Sequence, residues 1–206
     1  QGDVGSGKTA VAAALCWAVI QSGMQAALMA PTEILATQHY HSLNALLEPA
    51  HITCALLTGS VKAAEKKKIY KALSDGRIQL VIGTHALISD KVEFQNLGLV
   101  ITDEQHRFGV GQRSALAQKG ASPHLLVMSA TPIPRTLALM VYGDLDISVL
   151  DELPPGRQKI ETYLIDPAKR ARAFGYVQRH LDAGRQGYLI CPLIEEDESG
   201  MMSVTQ

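Results

Sequence analysis

The sequence predicts an α/β domain built on a mainly parallel sheet covered by helices, followed by the start of a second α/β lobe. Three observations carry that prediction. Short apolar, β-prone runs alternate with helical stretches over the first 150 residues. Several of those runs are apolar throughout, the pattern of strands covered on both faces. A glycine-rich loop, Gly2 to Thr9, also leads directly into an apolar helix.

The elements run in chain order. Strands are expected at Ala26–Ala30, Ile52–Leu57, Gln79–Gly83, Leu99–Thr102, Leu125–Ser129 and Ile147–Leu150. Helices are expected at Lys8–Ser22, Glu33–Leu47, Val61–Leu73, Gly111–Lys119 and Pro134–Tyr142. Pro31-Thr32-Glu33 reads as a strand end and a helix start, with Thr32 as N-cap. Asp151 to Arg157 (DELPPGR) reads as a linker, because two prolines and a glycine continue neither a helix nor a central strand. A strand (Glu161–Ile165), a helix (Ala168–Ala183) and an apolar strand (Gly187–Leu193) then begin a βαβ unit. The expected division is a first lobe over 1–150, a linker over 151–160 and the start of a second lobe over 161–206.

Composition narrows the class. An apolar content of 47% in 206 residues and a net charge of -1 exclude a disordered chain and a uniformly basic nucleic-acid binder. Cys16, Cys54 and Cys191 form no CxxC pair and no Cys/His cluster, which argues against a structural zinc site or a disulfide framework and for a reduced, cytoplasmic setting. The longest apolar stretch, Ala10 to Ile20, is too short to span a bilayer and lacks the flanks of a signal peptide. The chain opens on Gln1 rather than Met and ends in mid-pattern at Gln206, so it reads as a piece of a longer protein.

The chemistry is concentrated in three segments. Gly2-Asp3-Val4-Gly5-Ser6-Gly7-Lys8-Thr9 matches G-x-x-x-x-G-K-[ST], the phosphate-binding P-loop. Its glycines let backbone N–H groups curl around phosphate oxygens, and the following helix aims its positive end at the same anion. Lys8 would reach the β- and γ-phosphates of ATP, and the Thr9 hydroxyl would meet Mg²⁺. A P-loop should follow a strand, so that strand is expected to precede Gln1. Asp103-Glu104-Gln105-His106 follows the strand Leu99–Thr102. A P-loop ATPase needs a carboxylate there for Mg²⁺, which suits Asp103, and an orienter for the attacking water, which suits Glu104. Ser129-Ala130-Thr131-Pro132 follows the strand Leu125–Met128, where hydroxyls could bond the acidic loop, with His106 as the natural partner. No N-K-x-D or L-S-G-G-Q motif occurs, so GTPase and ABC-transporter readings find no support.

GDVGSGKT, DEQH and SATP, in this order, resemble motifs I, II and III of superfamily 2 helicases and translocases. Ala30 to Ala36 resembles motif Ia. Leu57-Thr58-Gly59-Ser60 and Gly83-Thr84-His85 resemble the DNA-contacting motifs next in the order. More narrowly, DEQHRFGV (Asp103–Val110), ATPIPRTL (Ala130–Leu137) and YGDLDISVLDELPPGR (Tyr142–Arg157) resemble the RecG family of branched-DNA helicases. The Mfd translocases share the first two segments, but Gln105 and DELPPGR favour RecG. The resemblance implies a RecA-like ATPase lobe and the start of a second one. The arginine finger and the DNA wedge domain would then lie beyond these residues. ATP and Mg²⁺ are the implied cofactors, branched or duplex DNA the implied partner, and a monomer the implied state, with the isolated fragment poorly active. Gln105, His106, Ser129, Thr131 and Arg135 would couple nucleotide state to movement. Thr32, Thr58, Gly59, Thr84, His85, Arg107, Phe108 and Arg113 are candidate DNA contacts, against the plainer reading of caps, turns and surface arginines.

Two alternatives stay open: an Mfd-type translocase acting at stalled RNA polymerase, and a non-catalytic nucleotide-binding module, whose marker would be damage at Lys8, Asp103 or Glu104. All three residues are intact. Lys62, Lys66, Lys67, Lys68 and Lys71 read as a solvated helix face, and Trp17 as core packing. His39, His41, His51 and His124 form no ligand set and receive no role.

Overall fold

The computed structural model describes residues 1–103, 115–130, 146–152 and 160–190. The chain divides into two compact units, Gln1–Arg157 and Gln158–Gln206.

The first unit is a five-stranded parallel sheet flanked by helices. Its strands are β1 (Gln25–Met29), β2 (Cys54–Leu57), β3 (Leu80–Gly83), β4 (Leu97–Asp103) and β5 (His124–Met128). They lie in the order β2-β3-β1-β4-β5. β1, β3 and β4 are buried residue by residue, which is why their sequences run apolar without alternation apart from Gln25 at the start of β1 and Thr102 and Asp103 at the end of β4. Flanking it, among the described residues, are the helices α1 (Lys8–Gln21), α2 (Glu33–Leu47) and α3 (Ala63–Ser74). On one sheet face, Ala12, Cys16 and Ile20 of α1 and Ala36, Leu43 and Leu47 of α2 close over Leu28, Ile82 and Ile101. On the other, Ile69 and Leu73 of α3 close over Met29, Val81 and Val100.

Buried Gln25 stitches loops to this sheet. Its Nε2 donates to the Leu73 and Ile78 carbonyls at 3.0 and 2.7 Å, and its Oε1 accepts from Asn96 N at 3.0 Å. α1 and α3 each stop at a glycine in the left-handed region, Gly23 (φ 78) and Gly76 (φ 70). There the N–H groups of the glycine and of the residue after it turn back onto the last-turn carbonyls.

The sheet continues past β5. Gly2 N donates to Ser129 O at 3.2 Å, Leu150 N donates to Gln1 O at 2.7 Å, and Gly2 and Leu150 form a parallel bridge. The expected strand Ile147–Leu150 is seen as this one bridge, at Leu150. The helix expected at Gly111–Lys119 is seen at its described residues 115–117, and that at Pro134–Tyr142 lies outside the described residues.

In the second unit a short turn (Pro167–Lys169), capped by Asp166 Oδ1 on Ala168 N at 2.9 Å, leads into α4 (Arg170–Asp182). The expected strand Glu161–Ile165 is not formed, nor is the described part, 187–190, of the expected strand Gly187–Leu193. A strand needs a neighbouring ladder for its N–H and C=O groups. None lies beside these segments among the described residues, and Leu164, Leu189 and Ile190 stay exposed.

Candidate functional site

The described candidate residues gather at the carboxyl ends of the parallel strands, where open α/β sheets place their ligands. The P-loop turns at Asp3, whose carbonyl accepts from Ser6 N at 3.2 Å and whose Oδ1 accepts from Val4 N at 2.6 Å. Gly5 (φ 81) and Gly7 (φ 95) sit in the left-handed region, which swings the chain into α1. Gly7 caps α1 without a side chain, and its carbonyl takes the N–H groups of Ala10 and Val11. The first-turn N–H groups of Lys8 and Thr9 therefore face outward, unspent by the helix. A Cβ on Gly2 would stand 2.6 Å from Ser6 Oγ and 2.9 Å from Leu150 Cβ, so the loop's close approach needs glycine.

The electrostatics favour an anion. Lys8 Nζ folds back over the loop, donating to the carbonyls of Gly2 and Asp3, both at 2.7 Å. Ser6 Oγ is buried without a hydrogen-bond partner among the described residues. A buried hydroxyl in that condition is costly unless a ligand answers it. An ammonium, an unanswered hydroxyl, two free N–H groups and a helix N-terminus together suit a polyphosphate.

Asp103, the last residue of β4, is buried at 8% exposure. It pairs in register with Met128 of β5, whose successor Ser129 receives the Gly2 N–H. The acid and the P-loop thus stand two strand spacings apart, roughly 10 Å at the backbone, room for a phosphate and its cation. Among the described residues no three His, Cys, Asp or Glu side chains converge on a metal position. Mg²⁺ needs no such cage, since one carboxylate, a hydroxyl and nucleotide phosphates suffice. Thr9 and Asp103 fit that role.

Opposite Asp103 stands His39 of α2, its Nε2 2.7 Å from Asp103 Oδ2. No role was expected for this histidine. Glu33, also unassigned from sequence, reaches from the start of α2 to accept from Ser60 N at 3.1 Å. Its carboxyl is held below its ordinary value chiefly by the Ser60 hydroxyl, with this backbone bond, the Gly59 N–H and nearby Lys66 acting in the same direction. It ties the segments holding Thr32, Thr58 and Gly59 together. The Thr32 hydroxyl caps α2, accepting from Leu35 N at 3.3 Å. Thr58 is buried and its hydroxyl bonds that of Ser60 at 2.9 Å, which leaves Gly59 and Ser60 as the exposed groups there. Thr84 is buried and His85 exposed. Lys62, Lys67, Lys68 and Lys71 are exposed, while Lys66 Nζ donates to Gly59 O at 2.8 Å. Glu104, Gln105, His106, Arg107, Phe108, Arg113, Thr131 and Arg135 lie outside the described residues.

Residues 1–140 match the DEAD/DEAH box helicase family. The chain belongs to that family. It is 57% identical over 198 residues to the ATP-dependent DNA helicase RecG of Bacillus subtilis (strain 168), a match covering 96% of this chain and 29% of the relative. It is 56% identical over 200 residues to that of Aquifex aeolicus (strain VF5), covering 96% and 25%. A solved structure of RecG bound to a three-way DNA junction superposes with a TM-score of 0.79 at 46% identity, over 94% of this chain and 26% of that one. The chain therefore spans between a quarter and three-tenths of the length of these relatives. The likeness to RecG read from the motifs holds along nearly the whole chain, and the α/β fold is that of a RecA-like helicase domain. Among the described residues no helix is long and apolar enough to cross a membrane.

Proposed function

We propose that this chain is the ATP-binding first lobe, with the start of the second, of a RecG-like motor that couples ATP hydrolysis to remodelling of branched DNA. The first lobe takes residues 1–150, the linker 151–160 and the start of the second lobe 161–206. The observation that carries the motor reading is the P-loop cradle, with Lys8 across its mouth and Asp103 two strand spacings away. The choice of branched DNA rests on the kinship to RecG.

In this reading Gly5, Gly7 and Lys8 hold the ATP phosphates, and Thr9 and Asp103 hold Mg²⁺, which when bound neutralises charge on those phosphates. Glu104 orients the attacking water. Gln105, His106, Ser129, Thr131 and Arg135 relay the nucleotide state. Gly59, His85, Arg107, Phe108 and Arg113 face the DNA backbone, while Thr32 caps α2 and the buried Thr58 and Thr84 shape the segments that present Gly59 and His85. The protein works in the cytoplasm as a monomer, together with the completed second lobe and the DNA wedge domain of the same full-length chain.

The test is ATPase activity of the full-length protein without DNA, with linear duplex and with a model fork. Fork stimulation well above that of linear duplex is expected, and Lys8→Ala should abolish it. Equal stimulation by any duplex would overturn the branched-DNA reading. Normal turnover in the Lys8→Ala protein would overturn the P-loop assignment.

A further inference from the structure

The buried stripe of α2 runs through Ala36, Leu43 and Leu47. His39, one turn beyond Ala36, falls on the same face, with its side chain only 12% exposed. An apolar side chain would satisfy the packing there. A polar ring in that place costs stability unless something answers it, and what answers it is Asp103, itself 11% exposed at the side chain. A carboxylate oxygen accepts, so the ring carries its hydrogen on Nε2 and donates it across 2.7 Å to Oδ2. The bond fixes the plane of the carboxylate and leaves Oδ1 outside it.

We propose that His39 is a positioning residue for Asp103, holding its carboxylate ready for the divalent cation of the nucleotide. The inference rests on the reading of Asp103 as the cation's carboxylate. Carboxylates that ligate metals are themselves held by hydrogen bonds, and removing such a holder typically weakens metal affinity 10–100-fold. His39 touches neither nucleotide nor water in this scheme; it acts through Asp103 alone. The second protein partner of the site therefore comes from the helix that Thr32 caps rather than from the P-loop or the strand end.

The test uses the full-length protein and Mn²⁺ as the probe. Mn²⁺ binding to the protein–ADP complex is read by the loss of the free-ion paramagnetic resonance signal, and ADP affinity is measured separately in EDTA. His39→Ala should weaken Mn²⁺ binding at least about tenfold with ADP affinity in EDTA unchanged. His39→Gln, whose amide can still donate, should recover most of the loss. If the alanine variant does not fold, His39→Leu keeps the volume without the donor and should show the same weakening. Asp103→Asn separates the two layers of the argument. If Asp103→Asn weakens Mn²⁺ binding and His39→Ala does not, the positioning role is overturned while the reading of Asp103 stands. If Asp103→Asn leaves Mn²⁺ binding untouched, both fall. If Gln fails as badly as Ala, His39 acts by packing and the proposal is wrong.

Discussion

Gly7→Ala separates backbone conformation from contact at the nucleotide site. Gly7 sits at φ 95, and a Cβ built on it meets nothing within 4 Å. The substitution therefore adds no clash with the protein's own atoms and removes no contact. What it changes is the cost of holding an L-residue in the left-handed region, roughly 1–2 kcal/mol. If the loop keeps its shape, that cost appears as lost stability. If the loop relaxes when empty, it appears as weaker nucleotide binding, roughly 5–30-fold at 1.4 kcal/mol per factor of ten. The assay is titration of full-length protein with fluorescent ADP, paired with thermal unfolding in the presence and absence of ADP. Gly23→Ala is the internal control. It lies at the far end of α1 with φ 78 and equally open space, so the same conformational cost should fall on stability alone. Unchanged affinity and unchanged stability in Gly7→Ala would refute the argument. Equal weakening of ADP binding by Gly23→Ala would show that the loop's conformation is not what matters.

Other consequences concern the scaffold. Gln25→Leu removes three hydrogen bonds and takes their side-chain partner from the Ile78 carbonyl and the Asn96 N–H; chemical denaturation should show a loss of about 3 kcal/mol, at about 1 kcal/mol per bond, and a loss below about 1 kcal/mol would contradict that accounting. Gly83→Ala drives a Cβ into the Leu57 carbonyl, with Leu57 C and Leu87 Cγ both 3.1 Å away; the β2–β3 pair must shift, and destabilisation of about 1–3 kcal/mol should appear as a lower melting temperature. Burial pushes the Cys16 thiol up to about 12 and the Cys54 thiol up to about 11. Since the thiolate is the nucleophile, neither should be alkylated in the native protein at pH 8, while both should react in denaturant, as read by peptide mass mapping. The sign of the linkage comes from the raised values: the folded state binds these protons more tightly, so this stability is complete below pH 9 and drains away as pH rises toward 12. Native-state alkylation of Cys16 at pH 8 would contradict its burial on the sheet-facing side of α1.

The sheet was legible where burial alone decides. β3 and the middles of β1 and β4 are continuously apolar because helices cover both faces, and no neighbour had to be known to recognise them. Ile147–Leu150 and Glu161–Ile165 carry comparable β-prone residues, yet one is a single bridge and the other no strand. Being a strand is a property of a pair, and a sequence window shows only one member. The same division runs through the site. The P-loop was readable because all its parts are contiguous: the turn at Asp3, the left-handed glycines, and the lysine that opens α1. Gln25 was opaque because its three partners lie dozens of residues away.

His39 shows how such a distant partner could be found. It stands 64 residues from Asp103, and as one of several scattered histidines it carries no motif signal. Its signal is positional. Helical periodicity puts Ala36, Leu43 and Leu47 on one face of α2, and His39 breaks that face with a polar ring able to donate a hydrogen bond. A polar residue on a buried stripe obliges the fold to supply a partner. The carboxyl ends of the strands beneath it are where partners with chemistry are found. Of the residues ending the described strands, Met29, Leu57, Gly83, Asp103 and Met128, only Asp103 has an acceptor side chain. Periodicity, burial and strand-end chemistry together therefore single out the pair, though no one of them does so alone.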